Sequence, residues 1–497
     1  MIYINNINRI GTIALIVALV SLGSCKKFLE SKPISATSVT EFYKTPADFE
    51  QAMIGAYSAF AQVYQGNGYF ALLTDLHSDN TSELVLGGDG NEAKMDIDRF
   101  TITADNEHVT AFWQNSYTLI ARVNSILASI NTSSLAQGAK DEYTGQAKTL
   151  RALSYFNMVR LYGDVPLVTA PVTDIDASYK LKRSSVEDVY TQIIADLVAA
   201  EPLLPGTYDA SMTGKVTKGA AQSLLGEVYL THKQYPEAVT AFKKVIDGNQ
   251  YALLGTYADL YKAGKQGNSE SILMAQYKTG EAYLGSNLPN HFAPTGSEGS
   301  LTATGGSYGF NQPTEDIANA YSVGDVRRAN IADGYTNSDG NYVPAKYIKG
   351  YVDREVGNGY LDSGADWYII RFADILLMYA EAINEAGNGP TSDAYTALNL
   401  VKVRANLAAV SGLTYDSFKA DVYEQERLES PFEGHRWFDL LRTGKALEVM
   451  NSKVSTPGSG STIGISAAIQ QFQLLYPIPL IVVTTSTPAI TQNQGYN

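Results

Sequence analysis

Several segments of this chain hold residue types that could do chemistry. Gly305-Gly306-Ser307-Tyr308-Gly309 fits the G-x-S-x-G pattern of a serine nucleophile. That chemistry needs a buried strand before the serine and a helix after it. Here the motif lies in a Gly/Thr-rich run and reads as a loop. The histidines His77, His108, His232, His291 and His435 are scattered, and none forms a paired metal motif. Asp89 and the Asp96/Asp98 pair could offer oxygens to calcium, but the spacing of a helix–loop–helix calcium site is missing. No Gly-rich loop suited to a phosphate occurs. From Glu424 to Arg442 the chain concentrates Glu426, Arg427, Glu429, Glu433, Arg436 and Asp439 around Trp437. Two such carboxylates could act as acid and base on a glycosidic bond. Interleaved with arginine, they read better as an ion-pair network that clamps helices, with Trp437 in the core. The expectation is no catalytic residue, no metal and no cofactor.

Binding without catalysis needs flat apolar faces beside hydrogen-bonding groups. Two stretches supply both outside helical periodicity. The first holds Tyr64, Asn67, Tyr69, Asp75, Asp79, Asn80 and Arg99; the second holds Tyr283, Asn287, Asn290, His291, Phe292, Tyr308 and Phe310. A sugar ring presents C–H faces to aromatic side chains and hydroxyls to amides and charged groups, so these residues form the candidate ligand-binding set. Tyrosine is abundant, 33 against 16 Phe and 3 Trp, and its apolar face with a hydroxyl suits half-wet surfaces. Trp113 and Trp367 sit beside helical apolar stripes and are read as packing.

The elements that must hold these stretches are helix pairs. Val216–Ile246 is the clearest. Leu225, Gly226 and Tyr229 lie on one helical face, a break follows at Lys233–Pro236, and Ala238, Phe242 and Val245 form a second face. Small and large residues at these offsets let two antiparallel helices pack closely, as in a tetratricopeptide unit. Such a unit cannot bury its face alone and needs stacked neighbours. Thr45-Pro46 starts a helix carrying Phe49, Met53, Tyr57, Phe60 and Tyr64. Ser184 and Glu187 read as a capping box before Val186–Val198, whose apolar spacing is helical throughout. The pairs fall at 46–130 (interrupted), 141–200, 216–246 and 368–405, with Gly387 closing the first helix of the last pair. Further helices are expected at Phe418–Glu429 and Arg436–Leu447, followed by an irregular tail. Residues 65–107 read as loops and short strands. From Gly248 to Asp366, Gly, Ser, Thr, Asn and Tyr dominate and periodicity fades; an insert this long in a compact body usually carries function. The fold class expected is mainly α: tetratricopeptide-like helix pairs with long irregular insertions and few short strands.

Composition narrows the partners. The formal charge is -14 over 497 residues, which argues against nucleic acid and against electrostatic docking on anionic lipid. One cysteine, Cys25, excludes an intrachain disulfide. Arg9 precedes an apolar run at Ile10–Leu22, the length of a signal segment and too short to span a bilayer. It ends in Leu22-Gly23-Ser24-Cys25, which looks like a bacterial lipobox, in which the cysteine thiol is lipidated and becomes the new N-terminus. Acyl chains there would anchor the protein.

The lipobox followed by KKFLESKP, then QAKTLRALSYFNMVRLYGDVPL, RFADILLMYAEAIN, ERLESPFEGHRWFDLLR and YPIP…TQNQGY, occur in order from Cys25 to Tyr496. Together they resemble the SusD/RagB family of Bacteroidetes outer-membrane lipoproteins. The resemblance implies a surface lipoprotein that captures nutrient, usually glycan, and sits over a SusC-like TonB-dependent transporter, touching the membrane through its lipid anchor only. Ligand would be met by loops from the two stretches above, with no motif fixing which residues do it. On this reading residues 1–24 are a signal peptide, 25–44 a lipidated tether, 45–247 an N-terminal helical region, 248–366 the loop-rich insert and 367–497 a C-terminal region. Two departures show: Gln494 stands where the family commonly has proline, and Leu480–Ala489 is more apolar than a surface loop.

Overall fold

The helix pairs form where apolar residues recur at helical spacing. The structure, a computed structural model, describes residues 42–65, 69–83, 92–209, 212–262, 267–280, 284–303, 305–352, 362–454, 465–487 and 490–496. Cys25, Asn67, Asp89 and Tyr283, together with the signal segment and the tether as far as 41, lie outside the described residues.

In chain order the helices are α1 (Pro46–Tyr64), α2 (Tyr69–Thr74), α3 (Glu92–Arg99), α4 (Glu107–Ile130), α5 (Gln137–Tyr162), α6 (Ile175–Ser178), α7 (Val186–Ala200), α8 (Lys218–Thr231) and α9 (Tyr235–Asp247). After the insert's short α10 (Leu288–Phe292), α11 (Glu315–Ala320) and α12 (Lys349–Val352) come α13 (Phe372–Gly387), α14 (Ser392–Arg404), α15 (Tyr415–Glu429), α16 (Arg436–Arg442), α17 (Ala446–Asn451) and α18 (Leu480–Thr485). Neighbours stack in sequence: α1 on α4, α4 on α5, α5 on α7, α7 on α8, α8 on α9, and α13 on α14 and α15. Across the insert, α9 packs directly on α13, so the helical array continues as though the intervening residues were absent. One apolar core runs through the array, from Phe49 to Ile490.

Close approach within the central pair depends on Gly226. A Cβ there would lie 2.4 Å from Cε1 of Phe242, so the Phe242 ring rests against bare backbone. Trp113, Trp367 and Trp437 are all buried, as expected of packing residues.

Among the described residues six short strands form three antiparallel pairs, two of which tie the insert to the body. They are β1 (Thr81–Ser82), β2 (Ser271–Ala275), β3 (Gln312–Pro313), β4 (Ile331–Thr336), β5 (Tyr342–Ile348) and β6 (Trp367–Arg371). β2 pairs with β6, setting Ser271 opposite Arg371 and Ala275 opposite Trp367. β1 pairs with β3, setting Thr81 opposite Pro313 and Ser82 opposite Gln312. β4 and β5 form a hairpin.

Local details differ from the expectations. Residues 65–107 contain two helices, α2 and α3; both are short, and α3 (EAKMDIDR) is too polar to show an apolar stripe. The cap of α7 sits one residue on, where the Ser185 side chain accepts from the Asp188 amide. α13 includes Gly387, and Asn388 takes the left-handed conformation at φ 51°. The expected Arg436–Leu447 helix breaks at Gly444 (φ 69°) into α16 and α17. The apolar stretch after Pro479 forms α18 instead of an irregular tail. Among the described residues no helix is long and apolar enough to cross a membrane.

Candidate functional site

The two candidate stretches meet in space. The β1–β3 pair joins them, the Thr81 hydroxyl donates to Asn311 Oδ1 at 2.5 Å, and the Thr314 amide donates to the Asn80 carbonyl at 2.9 Å. Their contributions to an exposed site are unequal.

The second stretch builds an aromatic platform. Tyr308 is 41% exposed and lies over Phe310, with ring centroids 5.5 Å apart and planes 29° off parallel. His291 stands edge-on to both rings, at 5.5 Å from Tyr308 and 5.0 Å from Phe310. The backbone beneath is tied down. The Tyr308 amide donates to the Asn290 carbonyl, Phe310 to that of His291, and Gly309 to that of Ala293. The Asn290 side chain donates to the Gly306 carbonyl at 2.8 Å, and the Gln312 side chain donates to the carbonyls of Phe292 and Phe310. Gly306 (φ 83°) and Gly309 (φ 70°) hold a conformation that an L side chain resists, and a Cβ on Gly306 would press on the Tyr308 ring at 3.2 Å. Asn287, Asn290, His291 and Phe292 are buried under this surface. Of the expected residues in this stretch that are described, Tyr308 is the one that faces solvent as a flat ring, and Asn287, Asn290, His291, Phe292 and Phe310 are buried.

The G-x-S-x-G match is part of the same scaffold. Ser307 Oγ accepts from the amides of Ser297 and Glu298, at 3.0 and 3.1 Å, and no helix follows it. Its hydroxyl closes a loop.

In the first stretch most of the expected ligand groups are engaged by the protein. Tyr64 is buried against Phe60 and Phe70, and its hydroxyl accepts from Asn157. Asp75 accepts from the Gly434 amide at 2.9 Å, and burial raises its pKa well above the ordinary carboxylate value. Asp79 holds Arg436 at 2.7 Å and Arg427 at 2.9 Å. Asn80 accepts from Arg427 and donates to the Pro431 carbonyl. Asp75, Asp79 and Asn80 weld the turn after α2 to the C-terminal helices, and Tyr64 is packed among α1, α2 and α5, so all four groups are engaged within the fold. Tyr69 opens α2, and Arg99 is exposed on the outer side of α3.

What α3 turns inward is Lys94, which sequence reasoning passed over. Its ammonium stands 4.1 Å from the centre of the Phe310 ring. Lys94, Ile97 and Asp98 lie at i, i+3, i+4 on one face of α3 and all three are buried, but with two charged residues among the three no apolar stripe marks that face in the sequence.

The carboxylates of Glu424–Arg442 form the expected ion-pair network. Arg442 pairs with Glu381 at 2.5 Å, Glu426 at 3.0 Å and Asp439 at 2.9 Å. Arg371 joins Glu270, Glu429 and Glu433, while Arg404 and Arg327 also reach Glu429. Asp374, Glu433 and His435 come close enough to hold a metal among the described residues. Their oxygens are already occupied: Asp374 accepts from the Arg371 amide and the Ser430 hydroxyl, and Glu433 from Tyr261 and Arg371. His77, His108 and His291 are held neutral by burial, with pKa values lowered to about 4, 3 and 3.

A cavity of about 850 Å³ opens between α5, α7, α16 and the C-terminal segment. It shares no lining residue with the candidate set, and its guanidinium groups are committed. Arg160 is sandwiched between Phe156 and Phe438 at 3.6 and 3.7 Å and pairs with Glu227, and Arg442 is paired as above.

Two parts of the chain, one before the insert and one that begins within it, match known family models. Residues 27–230 match the SusD-like family described as starch-binding and associating with the outer membrane, and residues 327–496 match the SusD family. The chain belongs to the SusD/RagB family. It is 26% identical to SusD-like protein P25 of Formosa agariphila, over 92% of this chain and 93% of that one. Among solved structures, a laminarin-binding SusD-like protein superposes with a TM-score of 0.77 at 25% identity, covering 91% of this chain and all of its own. The fold is also shared by surface glycan-binding protein A from Bacteroides thetaiotaomicron, solved with laminarihexaose, at TM-score 0.77 and 21% identity over 90% of this chain and all of that one.

Proposed function

We infer that this protein captures oligosaccharide or polysaccharide and passes it, uncleaved, to a SusC-like TonB-dependent transporter in the outer membrane. The observation that carries the reading is the Tyr308 ring: half exposed, stacked on Phe310, braced by His291, and set in a loop with little freedom left to lose. A rigid aromatic face binds a sugar ring at low entropic cost. The kinship with a laminarin-binding protein supports glycan as the ligand class. Lipid on Cys25 would hold the protein at the outer membrane, facing outward, and the family's described outer-membrane association supports that location. The commitment of Glu426, Glu429, Glu433 and Asp439 to arginine partners supports binding without cleavage.

A tethered binder works by raising local concentration at the transporter mouth, so affinities of about micromolar to millimolar suffice. Isothermal titration against a panel of oligosaccharides tests this. Tyr308→Ala should weaken binding at least about tenfold, by loss of the stacking face. Binding of peptides but no glycan by the wild-type chain would sink the reading and favour a peptide-capturing role. Co-purification of a barrel partner, mass spectrometry of Cys25 and protease shaving of intact cells check the partner, the anchor and the orientation.

A further inference from the structure

Beneath the platform sits a charge that the fold leaves largely unanswered. Lys94 is only 6% exposed, and its ammonium lies on the Phe310 ring, on which Tyr308 is stacked. Among the described residues its interactions are that ring contact and longer-range attraction to Glu83 and Glu107. An ammonium carries three donors, and a ring face satisfies none of them as an oxygen would. Burying such a group without an acceptor costs free energy, so a position of this kind favours an occupant that brings its own oxygens.

The neighbouring carboxylates do not fill that role. Glu83 is 4% exposed, and neither of its oxygens has a hydrogen-bond partner. Burial pushes its pKa up to about 8, against the pull of Lys94, so near neutrality it is largely protonated and offsets little of the lysine charge. Asp98 accepts from the Ser82 hydroxyl at 2.9 Å and the Glu83 amide at 3.1 Å. Glu107 is exposed at the start of α4, its carboxylate 3.6 Å from His108 Nε2. His108 and His291, both near enough to feel the lysine charge, are held neutral mainly by burial. Lys94 sets an ammonium at the base of the aromatic face.

The geometry points to an anion subsite: the platform takes an acidic oligosaccharide, with a sugar face on Tyr308 and an oxyanion, either a uronate carboxylate or a sulfate ester, drawn to Lys94. This rests on the reading of Tyr308 as a glycan platform and adds the ligand's charge to it. The acidic surface of the chain does not oppose it. At physiological salt, charges beyond about 8 Å are largely screened, whereas a partly desolvated ammonium acts at contact. The subsite therefore works as a filter. Neutral glycans receive stacking alone, and acidic ones receive stacking plus a charge-assisted contact.

The test is isothermal titration of the mature chain with three oligosaccharides of matched length: a neutral glucan, a uronate-containing chain and a sulfated chain. At least one acidic ligand should bind about tenfold more tightly than the neutral one. Which one does so identifies the oxyanion. Lys94→Gln should abolish that preference, whereas Tyr308→Ala should weaken all three. Because Lys94→Gln removes a buried, poorly satisfied charge, its melting temperature should equal or exceed that of wild type, which separates lost binding from lost folding. Equal affinity for neutral and acidic ligands, or a preference that survives Lys94→Gln, overturns the anion subsite while leaving the glycan reading intact. Failure of every glycan to bind overturns both.

Discussion

Replacing Arg371 by methionine asks whether one buried guanidinium holds the insert to the C-terminal helices. Arg371 is fully buried at the junction of β6 and α13. It donates to Glu270 and Glu429 at 2.9 Å each, to Glu433 at 2.8 Å, to the Glu429 carbonyl at 3.0 Å and to the Ser430 hydroxyl at 3.2 Å. Methionine roughly keeps the volume and removes every donor. Arg404 would still reach Glu270 and Glu429, and Arg327 would still reach Glu429. Glu433 would keep only the Tyr261 hydroxyl. Removing one partner of a buried ion pair costs about 3–5 kcal/mol. Because two of the three carboxylates retain a guanidinium, the middle of that range, about 4 kcal/mol, is the expectation. Unfolding entropy of about 2.1 cal/mol/K per residue over 497 residues is about 1 kcal/mol/K, so Tm should fall by about 4 °C. Scanning calorimetry measures it. The control is Lys243→Met, which breaks an exposed pair with Asp247 at 3.1 Å and should shift Tm by less than about 1 °C. The acid limb gives a second readout. Burial alone would raise the pKa of Glu429, but Arg404, Arg371 and Arg327 together pull it from the ordinary 4.5 down to about 2. A depressed folded-state value contributes stability that is present above the unfolded value and lost as pH falls from about 4.5 toward 2, and Arg371→Met should make that loss shallower. An unchanged or raised Tm for Arg371→Met would refute the clamp.

Gly226→Ala should destabilise by about 1–3 kcal/mol, because its new methyl must displace the Phe242 ring, and Phe242→Leu in the same chain should recover part of the loss in a melting experiment. Glu83→Gln should raise stability increasingly between pH 4.5 and about 8. The folded carboxyl titrates above its unfolded value, so the wild type loses stability as pH rises through that window, by at most a few kcal/mol. Asp79→Ala strips both Arg427 and Arg436 of a buried partner and should cost about 3–5 kcal/mol, without the selective loss of glycan binding expected for Tyr308→Ala.

Periodicity made the helical array legible, because each long helix must bury one face and the spacing of that face is written locally. The Val186–Val198 stripe and the Gly226/Phe242 pairing are examples. α2 and α3 were not legible, since a short helix held by distant partners shows no stripe of its own. The same limit divided the candidate residues. Tyr308, His291 and Phe310 stand out as aromatic and polar groups outside any helical pattern, and the fold gathers them. Asp79 and Asn80 look like ligand groups in sequence only because Arg436 and Arg427, which claim them, lie 357 and 347 residues away. Arg99 and Lys94 share one segment, and only the rotation of α3 shows which faces inward.

The end of the chain returns to its beginning. The Tyr476 hydroxyl donates to the Leu73 carbonyl 403 residues earlier, and the Gln473 side chain reaches the Phe100 carbonyl 373 residues back. Asn493 donates to the carbonyls of Tyr162 and Tyr476, and Arg183 reaches across to Asn493. The first helices are therefore unfinished until residues 473–493 are in place, with the Tyr476 ring packed against His77 and Tyr162. Closing loops of that length slows folding, so the N-terminal helices and this distant segment must complete their packing together rather than one after the other.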